Sequence, residues 1–209
     1  PPEMQKAIFR VIPPAVKISL KSQTESGGWG YTLWPMHEYA GMVDEASCAI
    51  TQVEALRACR DVGFSVEPEN IASAVKYVDA CTDATTGGFI YALNPNVRSL
   101  MSGEPTYAIS CAGVSVLYSA GDYGSEAAKR CMKYLKSFLA GEREIECFFY
   151  YGNYYGAQVF YQAGGDDWKT YRDSMLPKIL EKQTADGSWR GMPPWEDAAE
   201  YGGPRRCSC

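Results

Sequence analysis

The chain has 209 residues, 46% of them hydrophobic and 22% charged, with a formal net charge of −5. Those values fit one globular domain with a sizeable core and set aside disordered and collagen-like chains. With no basic run longer than Arg205 and Arg206 the chain lacks the electrostatic footprint of a nucleic-acid binder, and no apolar run reaches the roughly 18 residues that predict a transmembrane segment.

Taken in chain order, the apolar spacing alternates two kinds of helix. From Glu3 to Ile12, residues Met4, Ala7, Ile8 and Val11 recur at an amphipathic spacing. Pro13 and Pro14 are predicted to interrupt that helix before another starts at Ala15 and ends at Gly27 and Gly28. The stretch from Thr32 to Asp44 reads as a loop holding the single histidine, His37. Ala46 to Val62 is helical and largely apolar, with Ser47, Thr51 and Glu54 as a thin polar stripe, and Gly63 closes it. Asn70 to Cys81 has a wet side at Lys76 and Asp79. Thr106 to Ala120 contains no charged residue, so a helix there must be buried all round. Ser125 caps Glu126 to Leu139, whose charged side chains oppose Ala127, Cys131, Tyr134, Leu135 and Phe138. Glu146 to Tyr151 has the composition of a short extended stretch; Asn153 to Ala163 is again uncharged, and Asp173 to Gln183 again amphipathic.

This alternation predicts two layers. Helices with a charged face belong outside, and the charge-poor ones belong inside, covered by the outer layer on one side and facing an enclosed space on the other. The expected fold is all-α, a two-layer curved array of helical hairpins over residues 1–189, with Ala46 to Val62, Thr106 to Ala120 and Asn153 to Ala163 inner. An irregular tail, 190–209, follows. Of the eight cysteines, Cys48, Cys59, Cys81, Cys111 and Cys131 fall inside helical patterns and no Cys-x-x-Cys occurs, which predicts free thiols in a reducing, cytoplasmic setting. The N-terminal PPEMQK has no signal-peptide core, and Cys207 with Cys209 ends the tail.

The helix ends repeat. Ala15 to Tyr31 passes through Gln23 into Gly27, Gly28 and Trp29; Val75 to Tyr91 ends in Gly87, Gly88 and Phe89; Pro177 to Trp189 passes through Gln183 into Asp186, Gly187, Ser188 and Trp189. Gly28 and Gly88 lie 60 positions apart, room for one helix pair and its loops. Helix, Gln, then Gly-Gly-Trp or Asp-Gly-Ser-Trp resembles the QW repeat of squalene cyclases and of the related prenyltransferase and squalene-oxidase repeat proteins. The resemblance covers about Lys6 to Trp189 and implies a partial (α/α)6-toroid, in which Gln23 with Trp29 and Gln183 with Trp189 tie neighbouring repeats at the outer helix ends. The second repeat departs, with Thr82 near the Gln position and Phe89 for Trp; the third keeps only Phe149 and Tyr150.

The family's chemistry has few counterparts here. There is no DxDD to protonate a polyene and no Gly-Cys-Gly-Glu-Gln thioester motif; Asp166 and Asp167 fit anions at a helix N-terminus, and Thr170 stands where DDxxD needs its third carboxylate. His37, Asp44 and Cys48 are the one conceivable zinc set, at a spacing unlike the family's, so no metal or cofactor is expected. Tyr150, Tyr151, Tyr154, Tyr155, Phe160 and Tyr161 crowd one region, with Tyr107 and Tyr118 on another inner helix, either as cation-stabilising walls or as core packing. The resemblance would place a ligand against inner-helix N-termini, near Thr51, Tyr107, Cys111, Tyr154 and Gln158. The expected function is a non-catalytic, or catalytically incomplete, toroid. Its partner would be an apolar, isoprenoid-like molecule, or a protein or second copy at the open repeat edges. The alternative is an isoprenoid cyclase or prenyltransferase whose catalytic motif lies outside these residues, and a purely structural repeat is the third reading.

Overall fold

A computed structural model describes residues 1–33, 44–94, 103–145 and 147–189 of the chain. Among these the protein is all-helical, with seven helices and no strand. They are α1 (Pro2–Lys21), α2 (Ala46–Asp61), α3 (Pro68–Ala80), α4 (Tyr107–Ser119), α5 (Glu126–Leu139), α6 (Phe149–Ala163) and α7 (Gly165–Glu181). The helices α2, α4 and α6 pack side by side as one row; α1 lies against α2, α3 against α2 and α4, α5 against α4, and α7 against α6 and α5. No helix among the described residues is long and apolar enough to cross a membrane.

Local chemistry accounts for most helix ends. Thr106 accepts the Ile109 N–H at 3.3 Å, Ser125 accepts the Ala128 N–H at 3.2 Å, and Glu45 accepts the Cys48 and Ser47 N–H groups at 2.8 and 3.1 Å, satisfying donors that would otherwise be orphaned. Gly63, at φ +95°, ends α2 while Phe64 donates back to the Cys59 carbonyl at 2.9 Å. Asp166 and Asp167 sit in the first turn of α7, where the N-terminal partial charge favours anions, and Asp167 also pairs with Lys136 of α5 at 2.8 Å.

Three expectations need correction. Pro13 and Pro14 do not interrupt α1, which runs unbroken from Pro2 to Lys21. Both prolines are exposed, as are Phe9 and Arg10, so the carbonyls that lose a donor reach water instead. The stretch read as extended is helical from Phe149 on, because α6 begins four residues before Asn153 to bring Gly152 against α4. The last outer helix likewise begins at Gly165, well before Asp173. Glu146, His37, Cys207 and Cys209 and the tail 190–209 lie outside the described residues.

The centre is α4, all thirteen of whose residues are buried. An uncharged helix can be surrounded in this way because it leaves no ionic group to desolvate. Its contact with α6 is close: a Cβ on Gly152 would stand 2.8 Å from the Tyr107 ring, and one on Gly156 would stand 2.8 Å from the Tyr107 hydroxyl. A buried polar hub accompanies this contact. Asn153 Oδ1 accepts from the Tyr171 hydroxyl at 3.0 Å and from Tyr107 at 3.4 Å, while its Nδ2 donates to the Phe149 carbonyl at 2.8 Å. Cys81, Cys111 and Cys131 are buried free thiols, whereas Cys48 and Cys59 are half-buried.

Outer helices are joined through their terminal turns. The Trp29 indole N–H donates to the Ser19 carbonyl at 2.8 Å and its ring is fully buried, while the Glu45 N–H bonds the Trp29 carbonyl at 2.9 Å and so starts α2. Gln23 reaches from the end of α1 to α3: its Nε2 donates to Gly27 O at 2.9 Å and to Asn70 O at 2.8 Å, and Asn70 Nδ2 returns a bond to its Oε1 at 2.5 Å. The turn lies so close to α3 that a Cβ on Gly27 would overlap the Ser73 carbonyl, and one on Gly28 would stand 2.9 Å from the Tyr77 ring. The second turn meets α5 in the same way: Cβ atoms on Gly87 and Gly88 would stand 2.9 Å from Arg130 Cβ and 2.7 Å from the Tyr134 ring. Here Arg130 takes over the tie, its Nη2 donating to Ala84 O at 2.5 Å and Asp83 O at 3.2 Å. Phe89, in the place of Trp29, lies directly on Gly113 of α4 and donates its backbone N–H to Ser110 Oγ at 2.9 Å.

These turns predict an unequal response to one substitution. Gly27 and Gly187 both have positive φ, +93° and +82°, but a Cβ meets backbone only at Gly27. Gly187→Ala should cost about 1 kcal/mol of backbone strain. Gly27→Ala should cost about 3 kcal/mol or more, because overpacking against Ser73 adds to that strain. Urea denaturation of the two variants measures the difference, and equal losses would contradict the seating.

Candidate functional site

Two places combine polar chemistry with aromatic surface. The first is the side of the α2, α4, α6 row on which α2 and α6 meet across α4. Glu54 of α2 accepts the Ser115 hydroxyl of α4 at 3.1 Å, and the Tyr155 hydroxyl of α6 is near enough to its carboxylate to influence its protonation. One turn further along, Arg57 Nη1 donates to Ser119 Oγ at 2.9 Å. Ser115 is small enough to lie beneath these longer side chains, so the middle of the row is roofed by its neighbours. Tyr155 is itself wedged edge-on between Tyr151 and Tyr154, at ring distances of 5.0 and 4.9 Å.

Burial raises the carboxyl of Glu54 above its ordinary range; the hydroxyls of Ser115 and Tyr155, and then the Arg57 charge, pull the other way without cancelling the shift. Burial likewise raises Tyr155, and the Glu54 charge adds to it. The result is a half-buried carboxyl group, bonded to the Ser115 hydroxyl, that holds its proton more tightly than in water.

The second place is a groove of about 500 Å³ at the end of the molecule where α4 begins and α5 ends. Tyr107, Tyr134 and Phe138 form its aromatic wall, with Phe138 centred 5.1 Å from Tyr107 and 5.2 Å from Tyr134. The Arg143 guanidinium stands 5.1 Å over the Tyr134 ring, and Thr86, Glu104, Thr106, Glu144 and Ile145 are among the other residues that line the groove. The Tyr134 hydroxyl donates to the Pro105 carbonyl at 2.9 Å, which fixes the ring's angle. The volume lies within the roughly 300–1,000 Å³ typical of small-molecule sites.

The five residues expected to line a ligand site are distributed unequally. Thr51 is exposed on α2, with its hydroxyl spent on the Ser47 and Cys48 carbonyls of its own helix. Tyr154 is 58% exposed and Gln158 half-buried, both on α6, joined by the bond from Gln158 Nε2 to the Tyr154 carbonyl at 3.1 Å. Tyr107 is buried, 2% exposed, and borders the groove. Cys111 is fully buried beside Tyr107 and Cys131, and burial holds its thiol far above the ordinary range. The structure therefore brings Tyr154 and Gln158 together on one helix, puts Thr51 on another, and places Cys111 in the core.

Of the zinc set, His37 is outside the described residues. Asp44 serves the first turn, accepting from Thr24 Oγ1 at 2.9 Å and from Ser26, while the Cys48 thiol is pushed up to about 12, by burial first and then by Glu45. The aromatic residues divide as well. Phe160 stacks on Tyr171 at 5.0 Å and Tyr155 is buried, whereas Tyr154 and Tyr161 are exposed.

Glu54 was legible only as part of a polar stripe, although one signal marked it: between Ala46 and Leu56 it is the sole charged residue. Phe138 and Tyr134 belong to the apolar face of α5, and nothing in the sequence separates groove wall from core on that face. No protein-family model, no curated protein and no solved structure matches the chain.

The raised Glu54 carboxyl has a thermodynamic consequence with a definite sign. The folded protein keeps this proton to higher pH than the unfolded chain, so the group subtracts stability as pH rises through its ordinary value of 4.5 toward its raised native value. Glu54→Gln keeps an oxygen for Ser115 but never ionises. Relative to the unsubstituted protein it should therefore gain melting temperature between about pH 4 and about pH 7. Thermal melts of both proteins at the two pH values measure this, and a pH-independent difference would contradict it.

Proposed function

We propose that this chain is a toroid-like α/α repeat domain of the squalene cyclase and prenyltransferase kind, whose role is to bind an apolar, isoprenoid-like molecule. Support for the architecture comes from the alternation of outer and inner helices, the row α2, α4, α6, and the recurring turns in which Gln23 and Gln183 precede Trp29 and Trp189. Curvature of the row would account for the electrostatic influence that Glu54 and Tyr155, on its two end members, have on each other across the middle one.

The observation that carries the ligand reading is the groove walled by Tyr107, Tyr134 and Phe138. Three aromatic rings on one side suit a flexible hydrocarbon, because polarisable ring faces follow its shape and burial of its methyl and methylene groups supplies about 0.8 kcal/mol each. Arg143 and Glu104 in the lining suit a single polar end group. The groove lies at the N-terminal end of α4 and takes in Tyr107, but none of Thr51, Cys111, Tyr154 or Gln158 lines it.

A second reading, that of an enzyme of isoprenoid cyclisation or transfer, is favoured by one observation, the raised Glu54 carboxyl. A carboxyl that is still protonated where free carboxylates have ionised is a proton donor available to an alkene or a leaving group. Turnover of squalene or farnesyl diphosphate that disappears in Glu54→Gln would establish this reading over the first, and absence of product would count against it.

For the binding reading the probe is farnesol. Native mass spectrometry should retain one farnesol per chain, and Phe138→Ala should weaken retention about tenfold, equivalent to about 1.4 kcal/mol for the loss of one aromatic wall. Because Phe138 also packs on Tyr107, the variant's helicity is checked by circular dichroism. Glu104→Gln, in the lining, should leave the hydrocarbon contribution intact. No retained farnesol would overturn the reading.

A further inference from the structure

Outer helix α5 borders a groove whose charge opposes that of the chain. Its volume is about 530 Å³, and four of the residues lining it, Arg130, Lys133, Lys136 and Arg143, are cationic, against one carboxylate, Glu142. The chain as a whole carries a formal net charge of −5, so the lining reverses the sign of its average. Like charges gathered on one surface repel one another, and an anion bound among them relieves that repulsion. The hollow itself comes from the second terminal turn, through Thr85 and Thr86, and from the segment after α5 that holds Glu142 and Arg143.

The cations in and around this groove differ in whether the protein has already neutralised them. Lys129 pairs with Glu126 at 2.9 Å and lies outside the groove, and Lys136 pairs with Asp167 of α7 at 2.8 Å. Arg130, Lys133 and Arg143 form no ion pair among the described residues. Two of these three are nevertheless held in place. Arg130 Nη2 donates to Ala84 O at 2.5 Å and Asp83 O at 3.2 Å, and Arg143 stands 5.1 Å over the ring of Tyr134, whose hydroxyl is anchored on Pro105 O at 2.9 Å. A guanidinium has five N–H donors, so the Nη2 contacts leave Arg130 with donors on its other two nitrogens. Lys133 and Arg143 donate no hydrogen bond among the described residues. Guanidinium groups positioned by the protein meet an anion without the full entropy cost of ordering long side chains.

We propose that this groove is a binding site for a soluble small molecule that carries more than one phosphate group. Phosphate fits the donors, because its oxygens accept paired bonds from a guanidinium fork and single charged contacts from an ammonium. More than one phosphate is favoured by the spread of the cations: α5 ends at Leu139, about 13 Å of helix rise beyond Arg130, and Arg143 follows that end. Two of the hydroxyls in the lining are spent within the protein, Ser137 donating to Tyr134 O at 2.6 Å and Thr86 to Asp83 at 2.9 Å, so recognition rests on charge. The volume falls in the roughly 300–1,000 Å³ range of small-molecule sites. The inference is independent of the isoprenoid reading. Thr86, Tyr134 and Arg143 border both grooves, but Arg130, Lys133 and Lys136 border only this one.

Isothermal titration calorimetry of the 209-residue chain with inorganic tripolyphosphate and with inorganic phosphate tests it. The expected result is saturable binding of one tripolyphosphate per chain, with inorganic phosphate weaker by about tenfold or more. Lys133→Gln and Arg143→Gln, both at exposed positions, should each weaken tripolyphosphate about fivefold while leaving helicity by circular dichroism unchanged. Lys129→Gln removes the same charge from the same helix outside the groove and should leave the affinity unchanged. Tripolyphosphate has no apolar part, so its binding succeeds or fails apart from the retention of farnesol. A parallel arm offers vesicles of phosphatidylcholine with phosphatidic acid, which the chain should not bind in preference to tripolyphosphate. No saturable binding of tripolyphosphate, equal affinity for inorganic phosphate, equal weakening by Lys129→Gln and Lys133→Gln, or binding confined to the vesicles would each overturn the proposal.

Discussion

The structure depends on how closely a glycine turn can approach the next outer helix. Gly27 and Gly87 both take positive φ, and each presses bare backbone against a helix that follows about forty residues later, against Ser73 in one case and Arg130 in the other. A side chain at either position would hold the helices apart. The aromatic residue that follows, Trp29 or Phe89, is then buried and locked, the first by its bond to Ser19 and the second by contact with Gly113. What recurs is the closeness of the contact; the polar tie varies between Gln23 with Asn70 and Arg130 with two carbonyls. The polar groups therefore fix register, while close packing supplies the adhesion.

The inner row follows from the same spacing. Once the outer helices are set, α2, α4 and α6 must lie side by side, and the smallest surfaces go where approach is closest: Gly152 and Gly156 of α6 against Tyr107 of α4, and Gly113 of α4 beneath Phe89. With four helices around it, α4 is buried along its whole length and carries no charge. Glu54 shows what happens at the edge of that dry region, where a carboxyl keeps its proton more tightly and spends an oxygen on Ser115. Breaking such a partly buried bond is more costly than breaking an exposed pair such as Lys6 with Glu3.

How much of this was legible in the sequence varies by element. The charge-free run from Thr106 to Ala120 predicted a fully buried helix, and the Ser125 cap predicted the start of α5, because both rest on interactions local to the chain. The repeated turns were legible as well, since only glycine suits their backbone. The continuity of α1 through Pro13 and Pro14 was not, because it depends on those residues facing water, a fact of tertiary placement. At the candidate site, the enclosure of Cys111 followed from its place in that charge-free run, whereas the exposure of Tyr154 on a helix read as inner did not, because no periodicity in one helix reports what its distant neighbours cover. The same holds for the groove, whose wall joins Tyr107 to Phe138 of another helix.

The claim on which the account rests is that terminal turns bind successive outer helices to one another. A double-mutant cycle on Gln23→Ala and Asn70→Ala, read by denaturant unfolding, tests it most directly, since these residues are far apart in sequence and meet only across that joint. The account predicts a coupling of about 1 kcal/mol or more, the two single losses together exceeding the loss in the double variant. Losses that simply add would show that the two side chains do not sense each other, and that α1 and α3 are not joined in this way.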